Sequence, residues 1–322
     1  MKRIFRALLP VVLTAGLGQA AAQEFPSRPI HWILSQPAGS SPDITARLVA
    51  DQLAKGWNQQ VLVDNRPGGQ NVIGAQAAAK SPGDGYNYYF ATTAALVSNP
   101  LTFKSLPYNP ERDFVPVAMI GKSPMVVAVN NSVPAKTLAE LIALDKKEPG
   151  KLAAANEGTK TFGGMMSQLL NVATGMQLLQ VPYNGVAPAL QDTVAGRTQV
   201  VLVSSAAMSP FIKRGDLRPI AVTAGKRVSG LESVPTMAES YPGFEYVGWF
   251  ALVAPAGTPE PVVRKVNADV NAVLAKDEIQ KRLLELGAIN EGPASPEQLA
   301  QFLKDERVRW AKLVKDINLQ PE

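Results

Sequence analysis

The sequence lacks cysteine altogether and contains one histidine, His31, among its 322 residues. A chain without cysteine has no disulfide, no thiolate nucleophile and no thiolate metal ligand. A single histidine cannot supply the ligand cluster of a typical zinc site, and it leaves few options for serine–histidine catalysis. His31 stands beside Trp32 in a predicted strand, where we interpret it as a structural or surface residue. Folding must therefore depend on hydrophobic cores of ordinary size.

Motifs of enzymes and nucleotide-binding proteins are also missing. The sequence contains no H-E-x-x-H, no G-x-S-x-G and no G-x-x-x-x-G-K-[ST] motif. No paired-carboxylate constellation stands out either. We therefore predict a protein that is not an enzyme and has no cofactor and no metal site. One enzymatic alternative stays open, a periplasmic hydrolase or transferase that uses Ser40 or Ser41.

The chain also lacks a large excess of charge of one sign. Removing Lys2, Arg3 and Arg6 from its 32 basic residues leaves 29, against 27 acidic residues. This balance gives no reason to expect nucleic acid as a partner.

Long hydrophobic runs are absent too. The apolar stretch that follows the N-terminal basic residues covers residues 7–17, which are eleven residues, whereas a membrane-spanning helix needs about 20. The small residues Ala20, Ala21 and Ala22 then resemble a signal-peptidase cleavage site. The pattern of residues 1–22 therefore predicts a signal peptide, and we expect the mature protein to be located in the periplasm.

The mature chain alternates strand and helix patterns. Apolar strands are predicted at residues 29–35, 61–63 and 86–91, with amphipathic helices between them. This order predicts an α/β fold in which helices cover parallel strands. From about residue 153 the chain repeats the same plan loosely, which indicates two similar lobes facing each other.

Two valine-rich stretches, 116–129 and 246–253, are predicted to carry the chain from one lobe to the other and back. We accordingly expect residues 23–123 and 248–322 to form lobe 1 and residues 124–247 to form lobe 2. Hinge motion about the two crossing segments would close the lobes on a ligand.

The stretch SQPAGSSPDIT, residues 35–45, joins the first strand to the first helix. Ser41 can cap that helix, Pro42 suits its first turn, and Asp43 is favoured near the positive helix end. The loop lacks the lysine of a phosphate-binding loop, and Asp43 would repel a phosphate. Backbone N–H groups and the hydroxyls of Ser40 and Ser41 are better suited to one carboxylate.

Thr92 and Thr93 follow a neighbouring strand of the same predicted sheet. Ligands on such sheets bind beyond the carboxyl ends of the strands, so we expect these threonines to converge with the 35–43 loop. In the second half, Ser204 and Ser205 end a strand in the same way. Lys160 lies in a small-residue loop with Asn156, Thr159 and Thr161, and we consider it a candidate partner for a second carboxylate, with a solvated loop lysine as the alternative.

Several stretches in order along the mature chain resemble the Bug-type solute receptors of tripartite tricarboxylate transporters. They are FPSRPIHWILSQPAGSSPDITARLVADQL, VLVDNRPGGQNVIGAQAAAKSPGDGYNYYFATTA, VPYNGVAPALQDTVAGRTQV and WFALVAPAGTPEPVVRKVNADV. The resemblance implies a monomeric receptor with a two-lobed, type II-like periplasmic binding protein fold, in which each lobe is a mainly parallel sheet flanked by helices. It also implies a small organic carboxylate as the ligand and membrane permease subunits as partners. A receptor that signals to a sensor protein remains an alternative.

In that family the loop matching 37–43 and the pair matching Thr92 and Thr93 grip a carboxylate, partly through ordered waters. The second lobe, including Tyr183, would set specificity. Together with the residue chemistry, the resemblance predicts the following ligand-binding residues: Gln36, Ala38, Gly39, Ser40, Ser41, Asp43, Thr92, Thr93, Asn156, Thr159, Lys160, Thr161, Phe162, Tyr183, Ser204 and Ser205.

Some residues depart from the family pattern. Gln36 stands where an aromatic residue is usual, and Ser40 where a glycine is usual. No aspartate stands at Val203 or Ser204, which argues against an amino-acid ligand, because an ammonium would need a carboxylate partner. Phe162, with the methionines that follow it, favours a ligand with an apolar body between two carboxylates, such as an aromatic or longer aliphatic diacid. The alternative is that these apolar side chains belong to the core of the second lobe.

Overall fold

A computed structural model of the chain describes residues 25–158 and 161–321. The predicted signal peptide at residues 1–22, and also Thr159 and Lys160, lie outside the described residues. Within the described part, no helix combines the length and the apolar character that crossing a membrane requires.

The described residues form strands and helices in alternation. The strands are β1 (Ile30–Leu34), β2 (Val61–Asn65), β3 (Asn87–Thr92), β4 (Phe114–Ser123), β5 (Met125–Asn130), β6 (Ala153–Asn156), β7 (Leu179–Pro182), β8 (Val200–Ser204), β9 (Leu217–Val222) and β10 (Gly248–Pro255). The α-helices are α1 (Ser41–Trp57), α2 (Val72–Ala79), α3 (Asn99–Thr102), α4 (Leu138–Lys147), α5 (Phe162–Thr174), α6 (Val186–Val194), α7 (Ser205–Arg214), α8 (Glu260–Leu274), α9 (Asp277–Glu285) and α10 (Pro296–Asp316).

The strands form two sheets with the same topology. The first has the order β2-β1-β3-β10-β4 and the second the order β7-β6-β8-β5-β9. In the first sheet β1 is parallel to β2 and β3, while β10 is antiparallel to both of its neighbours. In the second sheet β6 is parallel to β7 and β8, while β5 is antiparallel to β8 and β9. Each sheet is therefore mixed, with four strands in one direction and one against them. The α/β fold and the repeated plan are confirmed.

The first sheet is fixed to its helices by alternating side chains. Ile30, Trp32 and Leu34 point to one face of β1 and are completely buried. They share a hydrophobic core with Val49 and Leu53, which recur at helical spacing along α1. The loop between β1 and α1 is thereby held at a fixed position at the carboxyl end of β1.

The long helix α10 packs against both halves of the molecule. Its buried residues Leu303 and Trp310 belong to a core that also includes Trp249 of β10 and Met165 of α5. The helix begins with a capping box, in which Ser295 accepts from the Gln298 N–H and the Gln298 side chain accepts from the Ser295 N–H. The capping box expected from the sequence is confirmed, and α10 connects the first sheet to α5 of the second half.

We expect the substitution Leu303→Ala to lower the free energy of unfolding by about 2–5 kcal/mol, because it leaves a cavity in this shared core. The matched control is Val308→Ala, since Val308 is 69% exposed on the same helix. The control should change stability by no more than about 0.5 kcal/mol. Urea unfolding followed by circular dichroism measures both. Equal effects of the two substitutions would show that α10 does not stabilise the shared core.

Candidate functional site

A cleft with a cavity volume of about 410 Å³ lies between the two sheets. Its wall includes residues at the ends of strands from both halves: Gln36 follows β1, Thr92 ends β3, Glu157 follows β6, and Ser204 ends β8. Ser123, at the end of β4, lines it where the chain passes between the sheets. The carboxyl ends of these strands meet there, which is where open α/β sheets bind their ligands.

The expected convergence of the two loops in the first half is present. Gln36 Nε2 donates to Asn71 Oδ1 (2.7 Å) and more weakly to Thr92 Oγ1 (3.4 Å). Gln36 Oε1 is buried and has no donor among the residues described. A buried acceptor of this kind, on the wall of a cleft, is a natural partner for an ordered water or a ligand donor.

Ser40 and Ser41 form hydrogen bonds that the sequence analysis did not predict. Ser40, not Ser41, is the N-cap residue of α1, and its side chain makes no capping hydrogen bond. Its hydroxyl donates instead to Pro37 O (2.7 Å), which closes the turn. The Ser41 hydroxyl donates to Leu286 O (3.0 Å) from the C-terminal part of the chain. The prediction that Ser41 caps the helix is wrong, because α1 begins at Ser41 itself and the N-cap position falls on Ser40.

Of the predicted residues in this loop, Gln36 and Ser41 line the cleft, whereas Ala38, Gly39, Ser40 and Asp43 do not. Gly39 has a φ of +81°, a conformation that glycine adopts at little cost. Ala38, Gly39, Ser40 and Asp43 therefore belong to the loop but not to the wall of the cleft.

Asp43 is the residue that holds this loop together. Its buried carboxylate accepts from Gly39 N (2.9 Å), Arg47 Nε (3.0 Å) and Asn65 Nδ2 (2.9 Å). Burial raises the pKa of the Asp43 carboxyl, but the hydrogen bonds from Arg47, Gly39 and Asn65 outweigh it, so that the pKa lies below its ordinary value. Asp43 thus positions the loop, and it is not among the residues that line the cleft.

Thr92 and Thr93 both line the cleft. Thr93 Oγ1 accepts from Trp249 N (3.0 Å), so the hydroxyl hydrogen must point elsewhere. No acceptor for that hydrogen is present in the described part of the chain. Thr93 is therefore a fixed hydroxyl donor at the wall of the cleft.

A loop that the sequence did not mark as part of the site contributes Asn71. Four successive residues, 68–71, have positive φ, and two of them, Gln70 (+51°) and Asn71 (+77°), are not glycine. Tertiary hydrogen bonds stabilise this strained conformation. Asn99 Nδ2 donates to Gln70 O (2.8 Å), and Ser35 Oγ donates to Asn71 O (3.1 Å). Asn71 Nδ2 has no acceptor among the described residues, so it is available as a donor on the cleft wall.

The segment after Thr93 is also unusual. Residues 94–98 form a π-helical turn in which Asn99 N donates to Ala94 O, five residues back. Such wide turns are rare and often occur at functional sites. This one turns Ala94, Ser98 and Asn99 toward the cleft. The sequence offered no marker for it beyond a run of small residues after β3.

In the second half, three predicted residues do not line the cleft. Asn156 is completely buried and donates through Nδ2 to Gln180 Oε1 (3.2 Å). The Tyr183 hydroxyl donates to Asp192 Oδ2 (2.9 Å), on the neighbouring helix. Ser205 begins α7 and faces a different cavity. The side chains of Asn156 and Tyr183 form hydrogen bonds within the second half of the molecule.

Thr161, Phe162 and Ser204 do line the cleft. Thr161 caps α5, because its Oγ1 accepts from Gly164 N (3.1 Å). Phe162 places its ring 5.5 Å from that of Trp310 on α10. The methionines that follow, Met165 and Met166, are completely buried core residues. Phe162 therefore supplies an apolar wall, whereas the two methionines have a packing role.

Glu157 is a site residue that the sequence analysis missed. It lines the cleft, and its Oε1 accepts from Gly163 N (3.3 Å) at the start of α5. Burial raises the pKa of the Glu157 carboxyl above its ordinary value, although the hydrogen bond from Gly163 acts in the opposite direction. Among the described residues that line the cleft, Glu157 is the only ionisable one. Nor do the described ranges contain a group of three or more histidine, aspartate or glutamate side chains arranged to hold a metal ion.

The sequence and the fold of the chain can be compared with those of known proteins. Residues 45–319 match the family described as the tripartite tricarboxylate transporter family receptor (TctC). The chain belongs to this family. Among solved structures, an R. palustris protein with adipate is 32% identical, with a TM-score of 0.81, and the match covers 93% of this chain and all of that one. The resemblance to this receptor family, inferred from the sequence, is confirmed.

Two further solved structures share this fold. The periplasmic binding protein BugD is 31% identical with a TM-score of 0.77, and the match covers 92% of this chain and 100% of that one. MatC from Rhodopseudomonas palustris, with bound malate, is 30% identical with a TM-score of 0.75, covering 90% of this chain and 100% of that one. The expected two-lobed periplasmic binding protein fold is thus confirmed, with mixed sheets.

The role of Asp43 can be tested by its pH dependence. A carboxyl whose pKa is lowered on folding stabilises the fold above its ordinary pKa of 3.8, and this stabilisation is lost as the pH falls through the folded value. We expect Asp43→Asn to cost about 1–3 kcal/mol at pH 7 and less at pH 3. Urea unfolding at both pH values measures this difference.

Asp51→Asn is the control for Asp43→Asn, because Asp51 is exposed on the same helix. The control should be close to wild type at both pH values. A cost for Asp43→Asn that is the same at pH 7 and pH 3 would contradict the assigned role of the charge.

Proposed function

We propose that this TctC-family receptor captures one small organic carboxylate in the cleft between its two sheets. The observation that carries this proposal is the chemistry of the cleft wall, where neutral donors from separate elements converge. Thr93 Oγ1 and Asn71 Nδ2 both have donor hydrogens without acceptors among the described residues. Carboxylates are bound well by several fixed neutral donors, and ordered water can bridge the rest.

The first half of the cleft is the proposed carboxylate site. Gln36, Ser41, Thr92 and Thr93 keep their predicted role as ligand-binding residues, and Asn71 joins them. No side chain caps the first turn of α1, so its N-terminal backbone remains open to an anion. Ala38, Gly39, Ser40 and Asp43 are proposed to shape this site without touching the ligand.

The second half of the cleft is proposed to determine which carboxylate is accepted. Thr161, Phe162 and Ser204 line it and keep their predicted role. Thr159 and Lys160 remain predicted ligand contacts outside the described residues. Asn156, Tyr183 and Ser205 are proposed to act as structural supports.

Two solved relatives point to the same ligand class. The R. palustris protein was solved with adipate and MatC with malate, both of which are small aliphatic carboxylates. A cleft of about 410 Å³ has room for a ligand of this size together with bridging water molecules.

We further propose that the protein works in the periplasm as a monomer and delivers its ligand to the membrane subunits of a tripartite transporter. The family match supports this partner more than a sensor protein. A serine-dependent hydrolase is not favoured, because the hydroxyls of Ser40 and Ser41 both donate to backbone carbonyls. Among the described residues neither hydroxyl has a basic partner that could activate it.

The substitution Asn71→Asp tests the carboxylate site. It keeps the shape of the side chain and the acceptor used by Gln36, but it replaces the free N–H₂ with a negative oxygen. We expect the affinity for a carboxylate ligand to fall by about 2 kcal/mol or more, which is about thirtyfold or more. Isothermal titration against a panel of mono-, di- and tricarboxylates measures this change.

The control for this substitution is Asn58→Asp. Asn58 is another asparagine with positive φ (+49°), and it is exposed at the end of α1 away from the cleft. Its replacement should leave the affinity unchanged. If Asn71→Asp binds carboxylates as tightly as wild type, or if wild type binds none of the panel, the proposed site is refuted.

A further inference from the structure

The two halves of the cleft differ in the capping of their helices and in charge. In the first half the start of α1 has no side-chain cap, and Asn71 and Thr93 offer free donor hydrogens. In the second half the starts of α5 and α7 are capped by side chains, whereas the start of α6 has no side-chain cap. Ser204 Oγ accepts from Ala207 N (3.4 Å) at the start of α7.

Two backbone N–H groups in the first turn of α5 already donate to side chains of the protein. Thr161 Oγ1 accepts from Gly164 N (3.1 Å), and Glu157 Oε1 accepts from Gly163 N (3.3 Å). A carboxylate is favoured near the N-terminus of a helix, so Glu157 occupies the position that a second ligand carboxylate would otherwise take. The first turn of α5 therefore has fewer free donors for a ligand anion.

The Glu157 side chain is also held in place. A Cβ added at Gly163 would lie 3.1 Å from Glu157 Oε1 and 3.3 Å from the terminal methyl group of Met125, so the carboxylate packs directly against this glycine. Neither lysine nor arginine lines the cleft among the residues described. A ligand group that meets the second half near the start of α5 thus faces the Glu157 carboxylate.

We infer that this receptor selects an amino carboxylate, with the ligand carboxylate held by the first half of the cleft and a positively charged amino group held by Glu157. The inference rests on the proposed function and names its ligand class. It reverses the sequence-based expectation of a diacid, which relied on the apolar residues from Phe162 onward and on the absence of an acid at Val203 or Ser204. The acid comes from a different element, the loop between β6 and α5.

Matched ligands of equal length test this inference. Succinate, 4-aminobutyrate and butyrate share a four-carbon chain, and adipate, 6-aminohexanoate and hexanoate share a six-carbon chain. Within each set the group at one end is a carboxylate, an ammonium or a methyl group. Isothermal titration of the mature protein should show that the amino carboxylate binds at least tenfold more tightly than the diacid in any set that binds.

The variant Glu157→Gln removes the charge and keeps an acceptor for Gly163 N. We expect it to weaken binding of the amino carboxylate about tenfold or more and to leave the diacid equal or stronger. Glu278→Gln is the matched control, because Glu278 lies exposed in the first turn of α9. Thermal unfolding of each variant without ligand shows whether the fold is retained.

Tighter binding of the diacid by wild type would overturn the inference. If Glu157→Gln also keeps that diacid affinity, Glu157 acts as a protonated donor, because glutamine imitates a protonated glutamate. If Lys160→Met abolishes the diacid preference, Lys160 is the partner of the second carboxylate. In both cases the receptor still binds carboxylates and the proposed function stands. Failure of every carboxylate to bind would overturn the inference and the proposed function together.

Discussion

The structure depends on the passage of the chain between two sheets that have the same topology. After β4 only Pro124 separates the first sheet from β5, and the chain returns through β10. β5 and β10 are also the strands that run antiparallel within their sheets. The remaining strands point the loops at their carboxyl ends toward one shared cleft. Every residue that we assign to ligand binding occupies its position because of this arrangement.

The cleft combines fixed neutral donors on one side with a protein carboxylate on the other. Neutral donors can hold a carboxylate without a lysine or arginine, provided that they are held rigidly by other contacts. Asn71 and Thr93 satisfy this condition, because Gln36, Ser35 and the backbone of Trp249 hold them. Glu157 gives the opposite half a different preference. A cleft built in this way can orient an asymmetric ligand.

The fold and part of the site were accessible from the sequence because they follow from local patterns. Strand and helix periodicity predicted both sheets, and strand order predicted that Thr92 and Thr93 would meet the 35–43 loop. The assignment of Ser41 as a helix cap failed because α1 begins at Ser41, so that the N-cap position falls on Ser40. The Ser41 hydroxyl donates instead to Leu286 O, which is 245 residues away in sequence. A local capping rule takes no account of such a partner.

Asn71 and Glu157 were missed because the sequence alone does not show where the surrounding structure places them. Asn71 reaches the cleft through a strained loop that depends on hydrogen bonds from distant side chains, Asn99 and Ser35. Glu157 was overlooked because its significance depends on where α5 begins relative to it. The Pro-Gly-Gly turn before Gln70 was the only local signal for the strained loop, and it indicated a turn without indicating its direction.

A crystal structure of the mature protein with a bound carboxylate tests the account most directly. We expect electron density for the ligand carboxylate within hydrogen-bond distance of Asn71 Nδ2 and Thr93 Oγ1, directly or through one water. Density for that carboxylate against the second half of the cleft, or outside the cleft, would contradict the account.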